Sequence, residues 1–313
     1  MIPFRKITFA LVLILGALSI KAQQSPMYTH YMYNTLMINP AYAGSRDALT
    51  ITALNRSQWV SFKGAPLTQT LNVHSPIRNK HIGLGLSLMN DKIGPTNNSS
   101  AFVDFAFIMK LTEKSKLALG LSGGVNVFSA DLNSLELTEQ NDPAFSSNVE
   151  NRIMPNFGFG AYYSRERFYA GVSIPYLLEN SYSNAMGLDG NTLIGKEKRH
   201  YFFIAGAIFH LSPTLALKPT TFVKVTSAAP VQADFTLTFI LMEKFLLGAM
   251  YRTGDAVGLL AGLNITEQFF LGYSFDWSYG VRTGEYNNGS HELVLRYDFI
   301  FNSDKQIRST RYF

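Results

Sequence analysis

From Asp47 almost to its end, the chain alternates apolar residues with small, polar or charged ones at period two. Ile82, Leu84, Leu86 and Leu88 alternate with Gly83, Gly85, Ser87 and Met89. Leu117, Leu119, Leu121, Val125 and Val127 alternate with Ala118, Gly120, Ser122, Gly124 and Asn126. Phe245, Leu247, Ala249 and Tyr251 stand opposite Gly248 and Arg252, and Leu293, Leu295, Tyr297 and Phe299 opposite Glu292, Val294, Arg296 and Asp298. In a strand, such sets occupy opposite faces. About fourteen such segments, each roughly 8–13 residues, lie near 48–56, 67–75, 81–90, 100–111, 116–128, 153–164, 168–175, 200–210, 214–225, 231–240, 245–252, 256–264, 268–277 and 290–300. This is within or a little beyond the length at which a tilted strand crosses a bilayer.

The connectors alternate in length. Short ones are TEKS after Leu111, RER after Ser164, LSPT after His210, MEK after Leu241 and ITEQ after Asn264. Long ones are 91–99, 129–152, 176–199 and 278–289, with RTGD after Tyr251 and SAAP at 227–230 as short exceptions on that side. Short turns on one rim and long loops on the other are the mark of an outer-membrane barrel, with the long loops outside. An even strand count then predicts both chain ends on the periplasmic side. Closure pairs every strand edge, which lipid demands because it offers exposed amides no water. The predicted fold class is therefore all-β: a transmembrane, antiparallel outer-membrane β-barrel of about fourteen strands. Aromatic residues near segment ends (Tyr162 and Tyr163, Phe168 and Tyr169, Tyr201 to Phe203, Phe269 and Phe270, Tyr273, Trp277 and Tyr279) read as interfacial girdles.

The amino terminus agrees with this compartment. Arg5 and Lys6 precede the apolar run ITFALVLILGALSI, and Ala22 follows before a polar stretch. That is the layout of a secretory signal peptide, too short for a spanning helix. Cleavage after Ala22 removes three of the 27 Lys and Arg and none of the 22 Asp and Glu, leaving 24 basic against 22 acidic residues. The basic balance is thus largely a targeting feature, and nucleic acid is not an expected partner. With no Cys in the chain, no disulfide framework or lipoprotein anchor is available. The layout is 1–22 signal peptide, 23–47 periplasmic segment or plug, 48–300 barrel and 301–313 periplasmic tail.

The expected lumen face carries Asp104, Lys110, Lys116, Lys218, Lys224, Asp234, Arg252, Asp276, Glu292, Arg296 and Asp298. Both signs are present, as for a water channel or a network that fills the lumen. No catalytic site is expected: there is no G-x-S-x-G elbow, and scattered Ser, His and Asp are common in any chain. No metal or cofactor is expected either. The six His show no ligand spacing, and Asp131, Glu136, Glu139, Asp142 and Glu150 lack the spacing of a calcium loop. The Gly-x-Gly spacings at Gly83, Gly120 to Gly124 and Gly158 lie inside strand patterns. There they permit sheet bending or close packing of a plug and hold no phosphate. Residues 23–47 are not strand-like. Tyr28, Tyr31, Tyr33, Leu36, Met37 and Tyr42 are too apolar for a free tail, so this segment is expected to fold against the periplasmic mouth or inside the barrel.

The stretch from Tyr28 to Pro76 carries a resemblance. Tyr31-Met32-Tyr33-Asn34 is followed by Asn39-Pro40-Ala41-Tyr42-Ala43-Gly44, then Arg56, Gln58-Trp59, Phe62, Gly64-Ala65-Pro66, Thr68, His74 and Pro76. Asp91 with Gly94 and Gly289-Ser290-His291-Glu292-Leu293 extend it over essentially the whole mature chain. Together they resemble the PorP/SprF family of type IX secretion system membrane proteins. One departure is IFNSDKQIRSTRYF after Phe299, which runs past the usual closing strand.

The resemblance implies a non-enzymatic outer-membrane barrel of the secretion and gliding machinery. Such barrels help to secrete protein cargo bearing a type IX C-terminal signal, or hold a large adhesin at the cell surface. PorP-like members couple to periplasmic machinery components, and SprF-like members pair with one large secreted protein. The expected partner-facing residues are Tyr31, Asn34, Asn39, Pro40, Gly44, Arg56, Trp59, Phe62, Pro66 and His74. The segment from Asn34 to Gly44 would serve a periplasmic partner or form a plug, and Trp59 to Pro66 would serve the surface. An outer-membrane pore or hydrophobic-solute transporter is the alternative, since a barrel of this size could enclose a channel.

Overall fold

The computed structural model describes residues 25–77, 81–135, 148–182, 196–227, 229–279 and 287–300. After a one-turn helix, Thr35–Ile38, and a 3₁₀ turn, Pro40–Tyr42, the regular structure of the described residues is strand, apart from a second 3₁₀ turn at Leu132–Ser134. The strands are β1 Leu49–Ser57, β2 Leu67–Ile77, β3 Ile82–Ile93, β4 Thr96–Thr112, β5 Ser115–Ala130, β6 Val149–Arg165, β7 Phe168–Ile174, β8 His200–Ala207, β9 Phe209–Ser212, β10 Leu215–Thr226, β11 Ala229–Leu241, β12 Phe245–Arg252, β13 Ala256–Asn264, β14 Phe269–Ser278 and β15 Ser290–Phe299. β8 and β9 both pair with β10 and form one strand interrupted at Ile208, so fifteen segments make fourteen strands. All ladders are antiparallel between sequence neighbours. Pairing of β1 with β15, from Leu49↔Phe299 to Ser57↔His291, closes the barrel.

Alternation places apolar side chains outside. Leu84, Leu86, Val103, Phe105, Leu121 and Leu247 are exposed, while Ser87, Asp104, Ser122, Lys218, Asp234 and Arg252 are buried within. This inverts a water-soluble protein and suits a chain whose outer solvent is hydrocarbon. No helix among the described residues is long and apolar enough to cross a membrane.

Three details differ from expectation. Residues 91–99 are not a long connector: β3 and β4 continue to a tight turn at Gly94-Pro95, where Gly94 takes φ +55°. β4 and β6 also start about four residues earlier than alternation indicates, and β3 pairs with β4 up to Ile93↔Thr96. The aromatic girdle is only half a girdle. Tyr162, Tyr169, Phe202 and Phe270 are buried inside, because consecutive aromatic residues in a strand must face opposite ways.

Candidate functional site

The lumen is filled by the amino-terminal segment, whose path runs from rim to rim. It begins beside the long-loop strand ends. The Lys224 ammonium donates to the Ser25 carbonyl (3.1 Å) and lies 2.8 Å from Met27 Sδ. Arg252 donates to the Tyr28 carbonyl (3.3 Å) while its guanidinium holds Asp234 at 2.9 Å. Glu292 accepts from the amides of Thr29 (2.9 Å) and His30 (2.6 Å), and His30 Nδ1 sits 2.9 Å from the same carboxylate. Arg56 ties these together, donating to Thr29 Oγ1 (2.9 Å), Glu292 (3.1 Å) and Asp276 (2.8 Å). Every charge here is buried, so each needs an opposite charge or a hydrogen bond in place of water.

The middle of the segment packs by shape. The Tyr31 hydroxyl lies 2.9 Å from Thr220 Oγ1, and its ring stacks on Phe222 at 5.4 Å. Asn34 Oδ1 accepts from Thr70 (3.3 Å) and from Asn72. Tyr33 stacks on Phe270 at 4.5 Å, with Lys218 and Arg296 over its ring.

Asn39 to Gly44 then lie against a wall bared to backbone. Asn39 Nδ2 donates to the carbonyls of Ala161 (3.0 Å) and Val172 (3.3 Å), and its Oδ1 accepts the Ala41 amide (3.0 Å). A Cβ on Gly120 would stand 2.1 Å from the Ala41 nitrogen, on Gly160 2.0 Å from Asn39 Oδ1, and on Gly83 2.0 Å from the Ala43 oxygen. No side chain fits there. Gly44 takes φ +68° and donates its amide to His74 Nδ1 (3.2 Å), and Tyr42 meets that ring edge-on at 5.3 Å. The segment leaves at the short-turn rim, where Arg46 forks onto Asp298 at 3.1 and 2.9 Å. A cavity of about 300 Å³ remains beside this exit, lined by Tyr33, Arg46, Lys218 and Arg296 among others.

The long-loop rim carries a second arrangement. The β1–β2 loop is joined to the β14–β15 loop by Val60 N–H to Gly289 O and Asn288 N–H to Val60 O, each 2.9 Å. The Gly94 amide donates to Gly64 O at 2.9 Å, joining the loop to the β3–β4 turn. Trp59 is half-buried, with φ +45° and its amide on Ser290 Oγ (3.2 Å); Phe62 is 44% exposed. Across the mouth, the β7–β8 loop is pulled inward through Glu197, which accepts from Asn126 (3.1 Å), Asn156 (3.2 Å) and Asn180 (3.0 Å). Burial pushes the Glu197 carboxyl up, against the lowering effect of those three amides.

The structure thus brings most of the signature residues together, but not as a surface. Of the ten expected to face a partner, Tyr31, Asn34, Asn39, Pro40, Gly44, Arg56, Pro66 and His74 are buried, and only Trp59 and Phe62 offer accessible side chains. Of the two places expected for this segment, the periplasmic mouth or the inside of the barrel, Asn34 to Gly44 takes the second, enclosed by the barrel wall. Nine of the eleven expected lumen residues face inward and are buried, whereas Lys110 is exposed and Lys116 partly so, at the short-turn rim. Parity finds inward residues but not where the lumen ends. Of the two roles expected for the glycines, bending and plug packing, Gly83, Gly120 and Gly160 serve packing. Among the described residues no group of His, Asp and Glu is arranged to hold a metal.

Similar barrels are known. Omp33 of Acinetobacter baumannii matches 81% of this chain and 99% of its own at 10% identity, with a TM-score of 0.46. A Pseudomonas aeruginosa FadL homologue matches 85% and 94% at 12% identity and 0.48, and the CymD monoaromatic hydrocarbon channel 85% and 93% at 9% and 0.48. No curated protein matches in sequence. Residues 20–297 match the family of type IX secretion system membrane protein PorP/SprF, and the chain belongs to that family.

Proposed function

We propose that this outer-membrane barrel is a closed, non-enzymatic scaffold of the type IX secretion and gliding machinery. It binds a protein cargo bearing a type IX C-terminal signal, such as a large adhesin, and helps to secrete it or hold it at the surface. The observation that carries this reading is a lumen occupied from rim to rim by the chain's own segment, beneath a long-loop rim whose loops are bonded to one another. A filled lumen disfavours passage, and a preorganised loop rim favours binding. With long loops outside, the rim at Trp59 and Phe62 faces the cargo, and the short-turn rim faces periplasmic machinery components.

Crosslinking of the native protein followed by mass spectrometry tests the assignment. The expected catch is one large secreted protein at the long-loop rim and secretion components at the short-turn rim; recovery of neither sinks it. Conductance of the purified barrel in planar bilayers tests the alternative of a pore or hydrophobic-solute transporter. A closed baseline is expected, and a steady open channel would favour transport.

A further inference from the structure

We infer that the mature chain begins at the long-loop rim, crosses the lumen once, and only then enters the barrel wall from the short-turn rim. The residues that hold Ser25 to His30 fix the starting point. Lys224, Arg252, Asp276, Glu292 and Arg56 each lie within two residues of the long-loop end of their strand. The residues that hold the other end are at the opposite rim: Asp298 beside Arg46, and Pro76 and Gly83 against Gly44.

Chain length allows no return. With cleavage after Ala22, only Gln23 and Gln24 precede Ser25. Two residues span at most about 7 Å, whereas the apolar band of such a barrel is about 25 Å tall. With that cleavage the amino terminus lies within about 7 Å of Ser25, which sits at the long-loop end of β10. This places it across the membrane from the end of β15, contrary to the expectation that both ends share the periplasmic side. The segment is then not a plug that swings into the periplasm. To leave on that side, its amino end would have to be drawn through the whole lumen, past the Arg56–Glu292–Asp276 cluster and the glycine wall. The inference rests on the orientation proposed above only for which rim is outside; that the terminus shares a rim with the long loops is independent of it.

The chain has no Cys, so single-cysteine variants report unambiguously. A short epitope inserted after Gln23 is combined separately with Lys63→Cys in the β1–β2 loop and with Glu113→Cys in the β4–β5 turn. Intact cells are probed with antibody and a membrane-impermeant biotin-maleimide, then probed again after outer-membrane permeabilisation. The epitope is expected to become accessible together with Lys63→Cys, on intact cells, while Glu113→Cys labels only after permeabilisation. Accessibility of the epitope together with Glu113→Cys, and not with Lys63→Cys, overturns the inference. If Glu113→Cys labels on intact cells and the epitope still follows Lys63→Cys, the threading stands and the orientation falls. Should the epitope prevent assembly, seen as loss of the compact band on unheated gels, Ser25→Cys takes its place and its labelling is read against the same two markers.

Discussion

The two walls of the lumen grip one segment by different means. On the β3 to β7 side the segment lies on glycines with no room for a Cβ: its backbone meets Gly83 and Gly120, and the pinned Asn39 side chain meets Gly160. On the side formed by β10 to β15 and β1, its amides, carbonyls and hydroxyls meet the buried charges of Arg56, Arg252, Asp276 and Glu292. Shape does the first task and charge the second. A shape fit fails when anything is added, because backbone cannot retreat. A charge network fails when one member is removed, because the partner left behind is uncompensated. The same segment should therefore be sensitive to opposite kinds of substitution at its two ends.

Adding bulk to the glycine wall should have the largest effect. Gly160→Val and Gly120→Val put methyl groups where a Cβ alone already meets the segment at 2.0 and 2.1 Å. Assembled barrel on unheated gels should fall by at least about tenfold, since overpacking typically costs ~1–3 kcal/mol even where neighbours can shift. Gly123→Val is the control on the outer face of β5, where a Cβ meets nothing nearer than Phe157 at 3.6 Å, and it should assemble normally. If Gly160→Val assembles as well as Gly123→Val, the close fit is not a constraint and the comparison collapses.

Removing a charge should come next. Arg56→Met takes the nearest guanidinium from both Glu292 and Asp276, leaving His30 beside the one and Arg252 at 4.0 Å from the other, and unfolding by guanidinium in lipid should show a loss of about 3–5 kcal/mol. Adding Glu292→Gln should recover part of it, because one uncompensated carboxylate is then gone. A double variant as unstable as the sum of the singles would mean the cluster is not coupled. Asn39→Ala lies between the two modes: it removes two hydrogen bonds to the carbonyls of Ala161 and Val172 without adding volume. Its cost should be about 1–3 kcal/mol, read from the same unfolding curves.

Much of the wall was legible because period-two alternation survives wherever one face meets hydrocarbon. Leu119 and Leu121 against Gly120 and Ser122 show it plainly, as do Leu293 and Leu295 against Glu292 and Arg296. It failed at 91–99 because β3 and β4 there rise beyond the apolar band. Asn90 on the outer face donates to Asn97 (3.0 Å) and Ser99 (2.8 Å), so both faces are polar and the pattern reads as a loop. The site was less legible. The pairing of Thr29 and His30 with Glu292 spans more than 260 positions, and no local spacing encodes it. What could be read was its two halves, a Tyr- and Asn-rich segment that is not a strand and strands carrying Gly on the face opposite their apolar residues. Those halves complement each other, but only closure of the barrel brings them together.

The smallest effect on stability should come from the part of the signature that is not gripped. Phe62 stands 44% exposed at the tip of a loop fixed by the Val60, Gly289 and Asn288 bonds, with its own amide on the Trp59 carbonyl (3.0 Å). Its ring supports none of those bonds, so Phe62→Ser should alter unfolding by no more than about 0.5 kcal/mol. A preorganised exposed aromatic ring is nonetheless a good binding anchor, because little side-chain freedom remains to be lost on contact. Cargo recovered by crosslinking should therefore fall several-fold in Phe62→Ser while the assembled barrel is unchanged. Equal recovery would separate the loop rim from cargo binding and leave the signature at Phe62 as loop geometry. A drop in both recovery and assembly would place Phe62 with the gripped residues instead, and would erase the distinction between a held segment and a presented loop.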